Sequence, residues 1–320
     1  MHPNETLRKE ERNRQEKSVV NGRRDFLRQL GTVPVAVAAT NAAHGASSVA
    51  QTPTLPQIRL GEHSVSRLIC GDNPFKANSH LSVTLNQHMR RFYTPDQIIR
   101  TLRRCEQVGI NCWQASFAGE VELHRRYIAE GGRMQLIVIE AGTDIIAKAK
   151  EAGAIGVAHQ GEATDHLFKS GQLDKVHEFL KQVRQAGMLV GVSTHMPAVV
   201  DAIESKGWDV DYYMTCVYER NRSAEELKKL LDHVPIPVSE VYLTEDPPRM
   251  FQAIRHTKRP CLAFKILAAG RCSWHREWVE RAFRQTFQSI KPTDAVIVGM
   301  YNEFNDEPAE NAELVRRHGS

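Results

Sequence analysis

Short apolar runs alternate with amphipathic stretches along the chain from Leu55 onward. The runs are four to six residues long, and most are apolar enough to be buried on both faces, as parallel strands require. Between them, apolar positions recur at the spacing of a helix. This pattern predicts eight strands, at residues 67–70, 110–114, 135–140, 154–158, 189–193, 211–216, 261–266 and 295–298.

The stretches between these strands are predicted to be helices. Pro95 and Pro197 suit first helical turns, and Thr94 and Asp174 suit capping positions. The predicted helices lie at residues 95–108, 120–130, 144–151, 174–185, 197–205, 224–233, 248–256, 275–289 and 308–317.

Eight strand–helix alternations without an intervening linker predict an α/β protein with one domain, a (β/α)8 TIM barrel over residues 51–320. Two stretches stand outside the alternation. Residues 73–93 are expected to form a long loop on the face where barrels hold their sites. Residues 234–242 are expected to form either an extra strand or an extended insertion before the seventh barrel strand.

The first 50 residues differ in composition from the rest of the chain. They carry eight basic and five acidic side chains, which is +3 of the net +4. The run from Gly22 to Arg28 contains the pair Arg23-Arg24 and precedes an apolar stretch and the small residues Ser48-Val49-Ala50. This order predicts a cleavable twin-arginine signal, whose partners are the translocase and a signal peptidase, and hence a periplasmic or otherwise exported bacterial protein.

Removing that segment leaves a nearly neutral body of charge +1 (+4 minus +3). A neutral body does not favour a nucleic-acid partner. No stretch of the mature chain reaches the roughly 20 apolar residues of a membrane helix, so no integral membrane segment is expected. The six cysteines, none in a CxxC pair, are expected to be buried, although an exported protein could join some of them in disulfides.

Several segments, taken in order, resemble the aldo/keto reductases. They are RLGEHSVSRLICG (59–71), GINCWQAS (109–116), AIGVAHQGE (154–162), VRQAGMLVGVSTH (183–195) and VIVGM with AENAELV (296–315). The resemblance spans about 240 residues and implies an opening β-hairpin before the barrel. It is evidence of fold more than of chemistry.

The resemblance fails at the residues that carry the family's reaction. The positions of the family's catalytic Asp and Lys hold Gln114 and Glu140 here, and the Tyr position falls at Ala118 or Gly119. Only the histidine is kept, as His159. Carbonyl reduction by the family's mechanism is therefore not expected.

The resemblance leaves a nicotinamide cofactor open. Glu310 and Asn311 match the pair that contacts adenine in the family. Glu303 and Asp306 lie where members that choose NADPH have basic side chains for the 2′-phosphate. Carboxylates would repel that phosphate, so NAD(H) is the expected cofactor if a nicotinamide binds at all.

Polar residues follow most of the predicted strands, and strand ends converge on one face of a barrel. Glu140, His159 and His195 follow three successive strands. One carboxylate and two imidazoles suit a divalent metal ion that leaves positions open for substrate. Asp72 or Gln114 could complete its ligand shell.

A polar pocket without metal is the alternative for the same residues. In that arrangement Glu140 pairs with Lys265 or with a histidine, and His195 caps the helix that begins at Pro197.

Lys265 has three possible roles: an amine that forms a Schiff base, an ion-pair partner, or an anchor for an anionic substrate. Arg271 follows a run of small residues and could hold a carboxylate or phosphate. The residues expected to act in catalysis are Asp72, His159 and Lys265, and those expected to contact a small-molecule substrate are Asn73, Gln114, Tyr218, Arg271 and Tyr301.

These observations predict an exported barrel enzyme that acts on a carbonyl-bearing small molecule, such as a sugar or keto-sugar, by metal-assisted lyase or isomerase chemistry. Two alternatives stay open. One is a divergent NAD(H)-dependent oxidoreductase related to the aldo/keto reductases, and the other is a non-catalytic periplasmic barrel that binds a ligand.

Overall fold

The structure is a computed structural model that describes residues 54–236 and 240–320. All of them belong to one compact unit, residues 51–320. The twin-arginine signal and its cleavage site, predicted within residues 1–50, lie outside the described residues. Across the described residues, no helix combines the length and the apolar character that a membrane crossing requires.

Eight parallel strands close into a barrel, which confirms the predicted (β/α)8 fold. Each predicted strand is present within a few residues of its expected bounds, and β10 pairs with both β3 and β9 to close the barrel. The barrel strands are β3 (Leu68–Gly71), β4 (Cys112–Ser116), β5 (Gln135–Glu140), β6 (Gly156–His159), β7 (Leu189–Thr194), β8 (Tyr212–Cys216), β9 (Cys261–Phe264) and β10 (Ala295–Gly299).

An antiparallel hairpin precedes the barrel, as expected. Its strands are β1 (Gln57–Leu60) and β2 (His63–Ser66). Side chains of Gln135 and Asn111, at the start of β5 and just before β4, donate hydrogen bonds to the Ser64 carbonyl at 2.8 and 2.9 Å. The hairpin therefore covers the amino-terminal end of the barrel, opposite the end where sites form.

Helices surround the barrel. Thr94 caps the second of them by accepting from Gln97 N, as predicted, whereas Asp174 lies just inside its helix rather than at the cap. The helices are α1 (Val83–Phe92), α2 (Pro95–Gln107), α3 (Phe117–Ala129), α4 (Asp144–Glu151), α5 (Gly161–Lys169), α6 (Asp174–Gln185), α7 (Pro197–Lys206), α8 (Ala224–Leu231), α9 (Asp246–His256), α10 (Arg276–Ser289) and α11 (Glu307–His318).

Two of these helices, α1 and α5, were not predicted. The expectation of an unbroken loop over residues 73–93 is wrong, because α1 occupies its second half. Ser82 caps α1 by accepting from Leu85 N at 3.1 Å. Met89 is fully buried, and Leu85 and Phe92 on the same face pack partly buried against the core, which gives the helix a short apolar stripe. The other exception, residues 234–242, forms no strand at its described positions, 234–236 and 240–242.

The strands separate two apolar cores by strict alternation of their side chains. One core fills the inside of the barrel and includes Ile137 of β5, Ala158 of β6 and Leu262 of β9, together with Ile58 and Val65 of the hairpin. The other core lies between the strands and the helices and includes the neighbouring residues on the same strands, such as Val138, Val157 and Ala263. This alternation decides which strand-end residues can reach the mouth of the barrel.

Candidate functional site

The main cavity opens at the carboxyl ends of the barrel strands and measures about 340 Å³. Its walls come from the ends of β3, β4, β9 and β10, from the start of α1 and from the loop after β9. Seven of the predicted site residues line it: Asp72, Asn73, Gln114, Lys265, Tyr301, Glu310 and Asn311.

Lys265 follows β9 at a position that would continue the outer face of that strand, since Ala263 is outside and Phe264 packs inside. The backbone breaks this alternation, because Lys265 has a φ of 58°. A positive φ is strained for a residue with a side chain, and such strain persists where a site requires it. Here the strained conformation accompanies the arrival of the lysine side chain at the cavity.

The amine of Lys265 has no hydrogen bond or ion pair with any residue that the structure describes. Burial lowers the pKa of this lysine to about 8, and the charge of Arg220 acts in the same direction. At neutral to mildly basic pH a substantial fraction of the amine is therefore uncharged. An uncharged amine in a cavity can act as a nucleophile or as a base.

Gln114 presents a second group without a partner. The residue is only 6% exposed, and its Nε2 is buried without a hydrogen-bond partner among the described residues. Gln114 lies on the inner face of β4, two residues after Cys112 of the inner core. Because a buried amide without a partner is costly, this donor is suited to an oxygen of a bound molecule.

Two carboxyl groups share one small cluster beside these residues. Asp72 is buried and accepts from Lys76 Nζ at 2.7 Å and from the Ser116 hydroxyl. Glu120, also buried, accepts from Ser116 N at 2.7 Å and lies 3.4 Å from the Ser116 hydroxyl. Burial, together with the charge of Asp72, raises the pKa of Glu120 to about 9, so Glu120 is protonated at neutral pH.

A second network holds the loop between β3 and α1 over the cavity. His80 lines the cavity, and its Nδ1 lies 2.6 Å from Glu240 Oε1. Arg220 donates to the same oxygen at 2.6 Å and is itself buried. Burial lowers the pKa of His80 more than the hydrogen bond to Glu240 raises it. His80 and Glu240 both have positive φ angles, so backbone strain surrounds the mouth on this side as well.

The three residues predicted to bind a metal ion are not brought together, and this part of the prediction is wrong in its geometry. Glu140 follows Val138, and His159 follows Val157, on the outer faces of β5 and β6. His195 continues the inner face of β7, where its ring contacts Phe264 at 5.6 Å. Among residues 54–236 and 240–320, no group of three or more His, Cys, Asp and Glu residues could hold a metal ion.

His159 packs outside the barrel. Its ring contacts Phe179 of α6 edge-on at 5.0 Å. The Thr164 hydroxyl donates to Gln160 O, so its oxygen accepts from His159 Nδ1 at 2.7 Å. Burial lowers the pKa of His159 to about 4, which keeps the imidazole neutral. The catalytic role predicted for His159 in the mouth is therefore not supported by its position.

Glu140 and His195 also lack the contacts expected of them in a polar pocket without metal. Glu140 accepts from Ala141 N at 2.8 Å and pairs with neither Lys265 nor a histidine among the described residues. His195 Nδ1 lies 2.7 Å from Asp165 Oδ2, and His195 N also donates to that carboxylate. The cap of α7 is Met196 rather than His195.

Two residues expected to contact substrate lie beside the cavity without lining it. The ring of Tyr218 contacts the ring of Tyr242 at 5.2 Å. The Arg271 guanidinium lies 4.1 Å from the centre of the Tyr242 ring. Arg271 is thus engaged in a cation–π contact rather than directed at an anion.

The far end of the cavity contains the residues that the family resemblance associates with adenine. Glu310 pairs with Arg276, and Asn311 donates to the sulfur of Met300 at 3.4 Å. Glu307 accepts from Tyr301 N at 2.6 Å, and burial raises the pKa of Glu307 to about 7. This end is consequently rich in carboxylates.

Sequence reasoning missed Lys76, Ser116, Glu120 and Asp165. Lys76 lies four residues after Asp72, a spacing at which opposite charges can meet in one turn. The inner position of Ser116, two residues after Gln114, could have been found from strand alternation alone. The contacts of Glu120 with Asp72 and of Asp165 with His195 join distant parts of the chain, and no local pattern signals them.

No profile of a known protein family matches this chain, and no curated protein has a detectably similar sequence. Solved structures share its fold. A phospho-2-dehydro-3-deoxyheptonate aldolase from Thermotoga maritima matches with a TM-score of 0.50 and 12% identity, over 83% of this chain and 73% of that one. A truncated 3-deoxy-D-arabino-heptulosonate 7-phosphate synthase from the same organism gives 0.49 and 13%, over 83% and 91%.

A glycerol dehydrogenase from Gluconobacter oxydans gives a TM-score of 0.48 and 12% identity, over 82% of this chain and 96% of that one. At such low identities the similarities say nothing about activity, and the fold rests on the closed barrel itself. The protein belongs to the class of (β/α)8 barrels, and its chemistry has to be argued from its own cavity.

Proposed function

We propose that this barrel is an enzyme that acts on the carbonyl group of a small molecule, with Lys265 as its reactive amine and a lyase or isomerase reaction as the result. One observation carries the proposal. A lysine amine without a partner among the described residues lines the main cavity, and its pKa is lowered to about 8. Lowered lysine pKa values in clefts are typical of functional sites.

The chemistry follows from the groups around the cavity. The uncharged Lys265 amine attacks the carbonyl carbon, and the resulting carbinolamine loses water to give a protonated imine. The imine nitrogen withdraws electrons and so eases cleavage of a C–C or C–H bond one carbon away. Asp72 is placed to move the protons of these steps, and the Gln114 amide donates to a substrate oxygen. Glu120, protonated beside Asp72, supplies a nearby reservoir for one proton.

No step of this proposal passes through a metal ion. The predicted ligands point to opposite faces of the sheet, and the described residues offer no other set of three. The lowered pKa of Lys265 also distinguishes the proposal from a non-catalytic binding barrel, which has no use for a reactive amine.

The test is reductive trapping of the full-length protein with propanal and sodium borohydride, which converts a lysine imine into a stable secondary amine. Peptide mass spectrometry should place the adduct on Lys265, and Lys265→Met should remove it. Lys175→Met is the matched control, because Lys175 is exposed outside the main cavity. Adducts spread over surface lysines, with Lys265 unmodified, would refute the proposal.

A second candidate is an NAD(H)-dependent oxidoreductase. It is favoured by the extension of the cavity from Lys265 to Glu310 and Asn311, the pair that the resemblance associates with adenine. The fit is partial, because Glu310 already pairs with Arg276. Bound nicotinamide would supply hydride transfer. Saturable quenching of tryptophan fluorescence by NADH, weakened in Asn311→Ala, would support this candidate, and the absence of quenching would remove it.

Export is a separate proposal that rests on residues 22–28 and the apolar stretch after them. The twin-arginine route carries folded proteins, so a reporter that needs folding before transport is the suitable test. Residues 1–50 fused to such a reporter should deliver it outside the cytoplasm, and replacing both Arg23 and Arg24 by Lys should retain it inside. Equal export of both versions would contradict the proposal.

A further inference from the structure

We infer that the carbonyl compound taken by this cavity is amphipathic, with an apolar group of several carbons attached to the carbonyl. The inference rests on the proposed function and specifies its substrate class. It replaces the sugar or keto-sugar that the sequence led us to expect. Three features of the cavity carry it: the placement of its polar groups, the aliphatic part of its wall and the exposed apolar side chains of its lining segments.

Three polar groups suited to a reacting carbonyl line the cavity from neighbouring parts of the barrel. Asp72 and Lys265 directly follow β3 and β9, and Gln114 lies on the inner face of β4. The buried Gln114 amide lacks a partner among the described residues, and so does the Lys265 amine. One carbonyl group, or a carbonyl with one neighbouring oxygen, would satisfy these donors.

Aliphatic side chains form a large part of the cavity wall, next to polar lining residues such as Asn78 and Asn305. Leu85 and Met89 of α1 line one side. Ile266 and Leu267 after β9, and Val279 of α10, also line the cavity. A sugar would bring hydroxyl groups against these walls, where they would lose hydrogen bonds to water without finding partners. An alkyl or aryl group would instead be removed from water at a gain that grows with its area.

Three exposed apolar side chains belong to the segments that line the cavity. Leu81, which lines the cavity, is 46% exposed. Trp274 follows the lining residue Ser273 and is 78% exposed. Phe304 is 72% exposed, and its ring contacts that of the lining residue Tyr301 at 5.9 Å. Exposed apolar side chains gathered beside a cavity indicate contact with an apolar ligand, whereas scattered ones need no explanation.

The volume agrees with a substrate larger than a triose. At about 340 Å³, the cavity falls within the roughly 300–1,000 Å³ of pockets that hold drug-sized ligands. Charge points the same way. Asp72, Glu307 and Glu310 line the cavity along with Lys265 and Arg276, and Arg276 is already paired with Glu310. A strongly anionic substrate such as a sugar phosphate is thus disfavoured.

The test compares trapping of propanal, hexanal and glyceraldehyde by borohydride at equal concentrations. Each buried methylene favours binding by about fourfold, equivalent to about 0.8 kcal/mol. We expect hexanal to be trapped on Lys265 at least tenfold more efficiently than propanal, and glyceraldehyde less efficiently than either. Equal trapping of hexanal and propanal, or preferential trapping of glyceraldehyde, would overturn the inference and leave the lysine chemistry standing.

Substitutions of aliphatic lining residues test whether the preference for hexanal depends on the cavity wall. Leu85→Asn should reduce the advantage of hexanal over propanal severalfold, because Leu85 lines the cavity. Leu230→Asn, on the exposed side of α8, is the matched control and should leave this advantage unchanged. An unchanged preference in Leu85→Asn and in a second wall variant, Val279→Asn, would contradict the inference.

A binding measurement separates the inference from the proposed function. Titration calorimetry with 1-hexanol and 1-propanol requires no reactive lysine. Tighter binding of hexanol that is weakened in Leu85→Asn, in a protein that traps no aldehyde, would support an apolar site and refute only the lysine chemistry. Absence of hexanol binding would overturn the inference whatever the trapping shows.

Discussion

The two sides of the barrel mouth differ in where their polar strand-end side chains point. On the side of β5 and β6, Glu140 and His159 face outward, and His159 packs against a helix. On the side of β3, β4 and β9, Asp72, Gln114 and Lys265 line one cavity. A residue at a strand end therefore reaches the mouth when its side chain is on the inner face of the strand. A residue on the outer face reaches it only when the backbone leaves the strand conformation.

His159 and Lys265 make this contrast sharpest, because both follow strands at positions that continue the outer face. His159 keeps the alternation of its strand and stays outside. Lys265 leaves the alternation through a positive φ and lines the cavity. Strain at one residue thus accompanies the placement of a lysine amine in the cavity, and functional sites often contain strained residues.

The largest expected effect concerns Asp72, which the comparison places in the mouth. Asp72→Asn removes the group that moves protons, and such groups contribute roughly 100-fold or more. We expect trapping of hexanal on Lys265 to slow by about that factor. Glu140→Gln, a matched carboxylate-to-amide change on the outward side, should stay within twofold of the wild-type protein, and a comparable loss in both variants would break the contrast.

The next effect is the dependence of trapping on pH. Only the uncharged amine reacts, and the pKa of Lys265 is about 8. The initial rate should therefore rise about tenfold per pH unit between pH 6 and 7.5 and level off above pH 9. An ordinary lysine, with a pKa near 10.4, would keep gaining up to pH 10 or beyond. If trapping measured on the Lys265 peptide still increased up to pH 10, burial would not lower the pKa of Lys265.

The carboxyl cluster predicts an effect on stability rather than on trapping. The pKa of Glu120 is about 9 in the folded protein, against an ordinary glutamate pKa of 4.5, so the folded state holds this proton more tightly than the unfolded chain does. Stability from this group is complete below pH 4.5 and is lost as pH rises toward 9. Glu120→Gln keeps the acceptor for Ser116 N but cannot ionise.

Urea unfolding at pH 5.5 and 8.5 measures this difference. Relative to the Glu120→Gln variant, the wild-type protein should lose about 4 kcal/mol more of its free energy of unfolding between the two pH values. Identical losses in both proteins would show that Glu120 is ionised already at pH 5.5, contrary to its burial beside Asp72.

The smallest effect belongs to the outward side, where His159 is neutral with a pKa of about 4. Its folded pKa is depressed below 6.5, so its contribution to stability is present above pH 6.5 and is lost as pH falls through 4. His159→Asn should remove about 2 kcal/mol of this acid-induced loss between pH 6.5 and 4.5. The variant should leave aldehyde trapping unchanged. Slower trapping would show that His159 acts at the mouth of the barrel.

Most of the fold was predictable because the barrel repeats one simple pattern. Buried parallel strands are apolar on both faces, and each of the eight could be found as a short run between amphipathic stretches. Helix α1 was not predicted because its apolar stripe is short, with only Leu85, Met89 and Phe92 packed against the core. Helix α5 escaped because it begins at Gly161, a residue that weakens a helix in isolation.

The site was predictable in part, and the errors have one source. Treating every polar strand end as part of one ring ignored the period of two, although Leu136 and Val138 already place Glu140 on the outer face of β5. Lys265 lines the cavity although alternation alone would have placed it on the outer face, and no local sequence pattern predicts its positive φ. The Ser116–Glu120 cluster depends on Asp72, 44 residues before Ser116, and appears only when the chain is folded.

The hairpin at the amino-terminal end has a consequence for the order of events during turnover. Ile58 and Val65 fill the axis of the barrel from below, so molecules enter and leave the cavity by way of the mouth. In a cleavage reaction, the fragment that is not attached to Lys265 has to depart first, and the attached fragment follows once water has freed it. Such a protein would show ordered product release, and the second product would inhibit it by competing with the incoming substrate for the same entrance.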